Sequence, residues 1–311
     1  MARNTSVGGQ AIIEGVMMRG ICGIATAIRK SNGEIIVNIE KNIPYSKRNV
    51  FLGLPIIRGF VSLIESLVIG IRTLNYSASF FEECEEPSKF DRWFQNIFKE
   101  KTENVIMVTT LFISLVIATL LFFIFPTFVA NIFKKFSVYD SIVLNIIEGV
   151  IRVIVFLIYL LLIGNMKDIK RVFQYHGAEH KTIFCYENSR ELTSENAQKF
   201  TRLHPRCGTN FLFLVMIISI IFFSLTGWGN ILERILYRII LLPVVSGVTY
   251  ELIKWVGKSD NFLSKIISYP GLMLQKITTR EPDYEQLEVA IRALKSAEGI
   301  DKNQGESREL L

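Results

Sequence analysis

Two stretches of the chain carry no charged residue for longer than an ordinary helix. One runs from 104 to 133, with Val105 to Val129 as its core; the other runs from 207 to 232, with Phe211 to Gly227 its most apolar part. At ~1.5 Å per helical residue, each is of the length that crosses a hydrocarbon layer ~30 Å thick. Two further stretches are apolar but interrupted: 142–164 by Glu148 and Arg152, and 235–257 by Arg238, Glu251 and Lys254. Charges at that depth are costly and turn toward protein partners. Glu148 and Arg152 stand four apart with the acid first, the spacing of a helix ion pair. Such a pair locks a bundle or lines a polar path. The pattern predicts four transmembrane helices, at 104–133, 142–164, 211–230 and 235–257.

The remaining segments show other periods. Between 49 and 75, Arg58, Glu65 and Arg72 recur every seven residues, with Ser62 near the same stripe. That places the charges on one face of an amphipathic helix, lying on the membrane surface or against the bundle without fully crossing. Residues 23–40 alternate as GIATAIRK, turn at SNG, and alternate again as EIIVNIE, which predicts a β-hairpin. The preceding GGQAIIEGVMMRG has leading glycines suited to a tight backbone path. Residues 82–103 read as a charged helical linker. Pro282 suits a first helical turn, and Leu287, Ala290, Ile291, Leu294 and Ala297 then share one apolar face of a docking helix. The predicted fold is mainly α and integral to the membrane. Its parts are a β element (1–48), an interfacial helix and linker (49–103), four spans, a loop (165–210) between the second and third, a C-terminal cytoplasmic segment (258–298) and a disordered tail (299–311).

Composition agrees. The 311 residues are 50% apolar and include 23 Phe, too oily for an ordinary soluble enzyme. Four Cys and three His exclude a disulfide scaffold or a multi-zinc protein. The net charge of +6 is a topology signal rather than a nucleic-acid footprint. Loop 165–210 has eight Lys and Arg, the 134–141 loop only Lys134 and Lys135, and the 231–234 loop only Arg234. Basic loops stay cytoplasmic, so both termini and the middle loop are expected there. Residues 1–20 lack the continuous apolar core of a signal peptide.

All three histidines fall in that middle loop, within YHGAEHKTIFCYE (175–187) and LHPRCGTNF (203–211). His176 and His180, four apart, project from one helix face and reach one ion. Glu179 beside them is placed to take a proton from a metal-bound water, as in the reversed H-x-x-E-H zinc-peptidase motif. His204 and Cys207 are further candidate ligands, and Glu251 a candidate downstream acid ligand. Three protein ligands plus water make a catalytic site; His176, His180, His204 and Cys207 together make a closed, structural one. A polar site without metal is the alternative. Gly177 lowers helix propensity by ~1 kcal/mol, so the pattern leaves open whether the helix runs through the motif. Cys185 reads as packing. Arg206 reads as an inner-face anchor or as a holder of phosphate or carboxylate. Cys22 and Cys84 form no C-x-x-C pair.

GGQAIIEGVMMRG, YHGAEHKTIFCYE, HPRCGTNFLF and TTREPDYEQLEVAIRAL (278–294), in that order, resemble the signatures of the YqhQ family of bacterial membrane proteins. The resemblance covers about residues 7 to 295, with Ile21 where proline is expected. It implies a metal site at His176, Glu179, His180, and His204 with Cys207, but no reaction. It also marks Gln10, Glu14, Arg19 and Arg280 as candidates for a shared cytoplasmic surface, and the bacterial plasma membrane as the location.

The expected function is a metal-dependent membrane hydrolase, using a divalent ion such as Zn2+ at the cytoplasmic face, with Glu179 catalytic and peptide, phosphate or lipid-headgroup bonds as targets. The alternative is a non-catalytic accessory or scaffold factor in membrane-protein biogenesis. Expected partners are membrane lipid and membrane proteins. A transporter using Glu148, Arg152, Arg238 and Glu251 ranks last, because four spans without a repeat make a thin pathway.

Overall fold

The computed structural model describes residues 7–81, 102–136, 140–259 and 261–300. Most of the expected linker and nearly all of the expected tail lie outside these residues. The chain is mainly helical, with one small antiparallel sheet near its N-terminus. It divides into two compact units, one drawn from 1–81, 160–218 and 235–311, the other from 82–159 and 219–234.

The sheet is a meander of four strands, β1 (Gly8–Ile12), β2 (Gly15–Gly20), β3 (Gly23–Arg29) and β4 (Ile35–Glu40), in that spatial order. The expected hairpin is β3–β4, with Ala27 opposite Val37. The glycine-rich segment before it is a second hairpin, with Gln10 opposite Met17. Glycine weakens an isolated strand, but here it lets other groups approach the backbone. A Cβ on Gly20 would sit 2.6 Å from the Ala297 carbonyl oxygen. β3 is buried on both faces, and only β4 shows the half-exposed alternation.

Helix α1 (Ile57–Ala78) lies along β1, with the Ser77 hydroxyl accepting from the Ile13 amide at 3.3 Å. Each charge of its stripe has an ionic partner, although Arg72 itself stays exposed. Arg58 meets Glu251, Glu65 meets Arg19 at 3.1 Å, and Arg72 meets Glu40 at 3.0 Å. Gln10, Glu14, Arg19 and Arg280 are likewise ties between elements. Glu14 pairs with Arg171, Gln10 packs on Gly70, and the Arg280 amide donates to the Phe173 carbonyl at 2.8 Å.

Among the described residues three helices are long and apolar enough to cross a membrane. The first, Val108–Ile132, is α2 (Thr102–Thr119), a π turn (Leu120–Ile124) and α3 (Phe125–Ile132) in sequence. The others are α4 (Ser141–Ile163) and Leu232–Val256 within α8 (Ile231–Val256). The expected span 211–230 is α7 (Gly208–Ser224), whose 17 residues reach roughly 26 Å at 1.5 Å each. In the second unit, Glu148 receives both Arg152 and Arg234, the Arg152 Nε donates to the Phe122 carbonyl at 3.0 Å, and Trp228 lies against the Arg234 guanidinium. The i, i+4 pair read from the sequence thus has a second arginine as partner.

In the first unit α5 (Lys167–Glu187) and α10 (Tyr284–Glu298) cover the sheet, with the short α6 (Ser194–Gln198) beside them. Val16, Met18, Ala25 and Ala27 pack against Tyr175 and Ala178 of α5 and against Leu287, Ala290, Leu294 and Ala297 of α10. Cys185 is in this core. Asp283 and Gln286 form a capping box at the start of α10, and Gly299, with φ of 70°, ends it. The stretch before α10 is reached through α9 (Phe262–Thr278).

Candidate metal centre

Helix α5 runs without a break from Lys167 to Glu187, through Gly177. Propensity is overridden because the chain at Arg280 crosses there. A Cβ on residue 177 would collide with the Arg280 carbonyl oxygen and lie 3.3 Å from Pro282. Glycine is the one residue that keeps the helix and admits the crossing backbone. The intact helix puts the rings of His176 and His180 4.4 Å apart.

Each ring is oriented by a main-chain carbonyl. His176 donates from Nδ1 to Thr278 O at 2.9 Å, and His180 donates from Nδ1 to Arg202 O at 2.6 Å. In the neutral imidazole this leaves Nε2 as the lone-pair nitrogen of both. His176 Nε2 lies 3.2 Å from Cys207 Sγ. His180 Nε2 is buried with no hydrogen-bond partner. The ligand atoms of His176, His180 and Cys207 lie within 4.8 Å of one another. Neighbouring ligands of a tetrahedral zinc are roughly 3.3–3.8 Å apart, from bonds of ~2.0–2.3 Å. The set therefore fits a divalent ion after a small contraction, and the orphaned Nε2 gains a partner.

Electrostatics favours the ligating forms. Burial holds His180 below its ordinary pKa, with His176 adding to the effect and Cys207 and the Arg202 carbonyl opposing it. Burial alone would raise the Cys207 thiol; the neighbouring His180 and bonds with the Thr209 hydroxyl and amide outweigh it and hold the thiol below its usual value. Cys207 immediately precedes α7, where free amides favour an anion. Thiolate and neutral imidazole suit Zn2+.

Glu179 lies beside the group, 5% exposed. Burial pushes its carboxyl up to about 8; Cys207 adds to this, while His176 and the Gly9 amide oppose it. A Cβ on Gly9 would approach the Glu179 carboxyl carbon to 3.0 Å, so this glycine gives the acid its seat against β1.

His204 and Glu251, expected as further ligands, lie outside the converging group. His204 sits next to His180, ring centroids 5.6 Å apart, but both its nitrogens face elsewhere. Its Nδ1 accepts from the Arg206 amide at 3.2 Å, and its Nε2 points to Glu187 at 3.5 Å. Burial lowers its pKa to about 4, so it is neutral. Glu251 has each carboxylate oxygen 2.5 Å from an Arg58 nitrogen. A carboxylate committed to a bidentate arginine does not turn to an ion elsewhere. Arg206 holds a carboxylate, that of Glu187.

Sequence reasoning missed the parts that hold the ligands. Gln275, fully buried on α9, clamps the His204 backbone from both sides. Its Oε1 accepts from the amide at 2.7 Å, and its Nε2 donates to the carbonyl at 2.8 Å. Arg202 is fixed to Thr279, and its carbonyl in turn holds His180. Residues 275–279 are thus a bracket for the whole centre. A glutamine on an amphipathic helix, and carbonyls of any residue, have no signature in sequence. Gln275→Leu is expected to leave two main-chain groups unpaired, at about 1–3 kcal/mol each, and to weaken metal binding by about 10–100-fold. Competition titration with a chelating dye checks this; unchanged affinity would exclude the bracket role.

A family described as a protein of unknown function (DUF1385) matches residues 54–299. A Bacillus subtilis (strain 168) protein named "Uncharacterized protein YqhQ" is 34% identical over 291 residues, covering 92% of this chain and 90% of that protein. No solved structure matches the chain.

Proposed function

The chain belongs to the YqhQ family of unknown function (DUF1385), and on that premise we propose that it is a metal-dependent membrane enzyme of hydrolase type. In this reading it sits in the bacterial plasma membrane with α7 as a fourth, short span and both termini cytoplasmic. The basic loop and the apolar helices support that topology. Cys207 is one residue before α7, and α5 begins at Lys167, shortly after α4 ends at Ile163, so the centre belongs at the inner membrane face.

The observation that carries the proposal is the convergence of two carbonyl-oriented histidines with Cys207. A bond from the other ring nitrogen to a carbonyl oxygen fixes the orientation of a histidine at metal sites. When bound there by His176, His180 and Cys207, a divalent ion would supply Lewis acidity toward a carbonyl or phosphoryl oxygen and toward water. The chain does the rest. His176 and His180 would ligate through Nε2, Cys207 would supply negative charge, and Glu179 would hold or pass a proton at its carboxyl oxygen. Three ligands rather than four is the count of a catalytic site.

Glu179→Gln is expected to keep the metal while abolishing complementation of a deletion strain. Complementation at the wild-type level would sink the hydrolase mechanism and favour the accessory-factor alternative. The same variant has a second readout in protein stripped of metal. With a pKa of about 8 in the fold against 4.5 otherwise, Glu179 holds more proton folded than unfolded between those values. Its contribution to stability therefore falls as pH rises through that window. Glu179→Gln removes this slope, measurable as the pH dependence of Tm from pH 5 to 9.

A further inference from the structure

The segment joining β4 to α1 carries an apolar surface that the centre does not use. Val50 is 88% exposed and Phe51 62% exposed, with Ile43, Tyr45, Leu54 and Ile56 exposed beside them. The chain here makes one helical turn (Tyr45–Arg48), a 3-10 turn (Phe51–Gly53) and a sharp bend. The bend is at Ile56, a β-branched residue with φ of 70°. Such a conformation persists only where surroundings enforce it.

What enforces it is α8. The backbone of Ile56 lies on Gly247, where a Cβ would meet Ile56 Cα at 2.7 Å. A Cβ on Gly59 would lie 2.8 Å from Gly247 Cα. This reciprocal glycine contact is the close approach common between helices in membranes. Arg58 and the Ile56 amide both bond Glu251. Gly247 and Glu251 precede Val256, the end of the apolar run, by nine and five residues, or roughly 14 and 8 Å along the axis. The bend is therefore fastened at a depth that belongs to lipid.

We propose that residues 43–57 are a re-entrant membrane anchor. The loop leaves the sheet, enters the leaflet beside α8, presents Val50, Phe51 and Leu54 to acyl chains, and returns as α1. The occupant of the apolar surface is the bilayer, through an anionic leaflet. From 41 to 64 the chain holds Lys41, Lys47, Arg48 and Arg58 and no acid. Tyr45 stacks with Arg48 at 4.4 Å, an aromatic and a cation paired as they are at headgroup level. The outward face of α1 continues the surface with Ile64, Leu67, Val68, Ile71 and Leu74. The anchor rests on α8 crossing the membrane and is independent of the metal.

The test uses the full chain in nanodiscs of anionic phospholipid. Single cysteines are introduced as Ser31→Cys in the β3–β4 turn, Ile240→Cys in α8 and Phe51→Cys, and are exposed to a charged, impermeant maleimide. Peptide mass spectrometry reads each site apart from the native cysteines. Ser31→Cys is expected to label fast, Ile240→Cys to be blocked, and Phe51→Cys to label at least tenfold more slowly than Ser31→Cys. Phe51→Cys within twofold of Ser31→Cys, with Ile240→Cys blocked, would place the loop in water and overturn the anchor. Labelling of Ile240→Cys would remove the span reading and the anchor with it. Benzoylphenylalanine at position 51 then identifies the neighbour on irradiation. A phospholipid adduct is expected, and a crosslink to a second protein chain overturns the proposal.

Discussion

Purified without chelator, the protein is expected to carry about one divalent ion per chain, and the double variant His176→Ala/His180→Ala to carry none. Structural zinc sites bind with ~10–16 kcal/mol over four ligands, so one ligand is worth roughly 3 kcal/mol. Cys207→Ser alone is therefore expected to weaken binding by on the order of a hundredfold. The geometry makes the prediction selective. Glu251→Gln breaks the Arg58 pair but touches no ligand, and leaves the metal content unchanged. Elemental mass spectrometry on folded samples, with thermal melts as the folding control, decides it. Absence of metal from the wild type, also after reconstitution with Zn2+, Mn2+ or Fe2+, would retire the centre and leave a buried polar cluster.

The second large effect comes from one methyl group. Helix propensity says Gly177→Ala stabilises by ~1 kcal/mol. The structure says the opposite, because the new Cβ meets the Arg280 carbonyl, which is backbone and has no rotamer to change. Overpacking of this kind costs about 1–3 kcal/mol, which in a chain of this size lowers Tm by roughly 2–8 °C. The damage does not stay local. Arg280 is two residues beyond Thr278, whose carbonyl orients His176, so metal affinity falls as well, by about 10–100-fold. A stabilised Gly177→Ala with normal metal binding would show that the crossing at Arg280 is not where the structure puts it.

Much of the architecture was legible because it depends on long-range averages. Long apolar runs, two of them interrupted by charges, identified the apolar helices, and alternation identified β3–β4. The H-x-x-E-H spacing brought His176, Glu179 and His180 to one helix. What escaped depends on contacts between distant backbones. The strands β1 and β2 were not resolved within the expected β element, because their glycines make room for Glu179 and for Ala297 of α10, neither visible locally. His204 was drawn in by its residue type, yet a turn of two residues aims Nδ1 at the Arg206 amide. Glu251 stood at a plausible distance along the chain, but Arg58, 193 residues away in sequence, claims it. The stripe of Arg58, Glu65 and Arg72 was read correctly as one face, while its partners Glu251, Arg19 and Glu40 could be assigned only in three dimensions.

The bracket at 275–279 has a consequence for biosynthesis. Both histidines and Cys207 are translated well before Gln275, Thr278 and Thr279, and α10, which seals the sheet against α5, comes later still. A growing chain places its apolar helices one after another as they emerge, with domains tending to fold as they are completed. During that interval the imidazoles are present without the carbonyl from Thr278 and without the anchor for Arg202. On the proposed metal reading, the ligands are therefore fully oriented only once almost the last helix is made. A product that stops short of residue 275 would carry His176, His180 and Cys207 without the carbonyl and side-chain contacts that orient them, a chemical difference between a finished chain and a broken one.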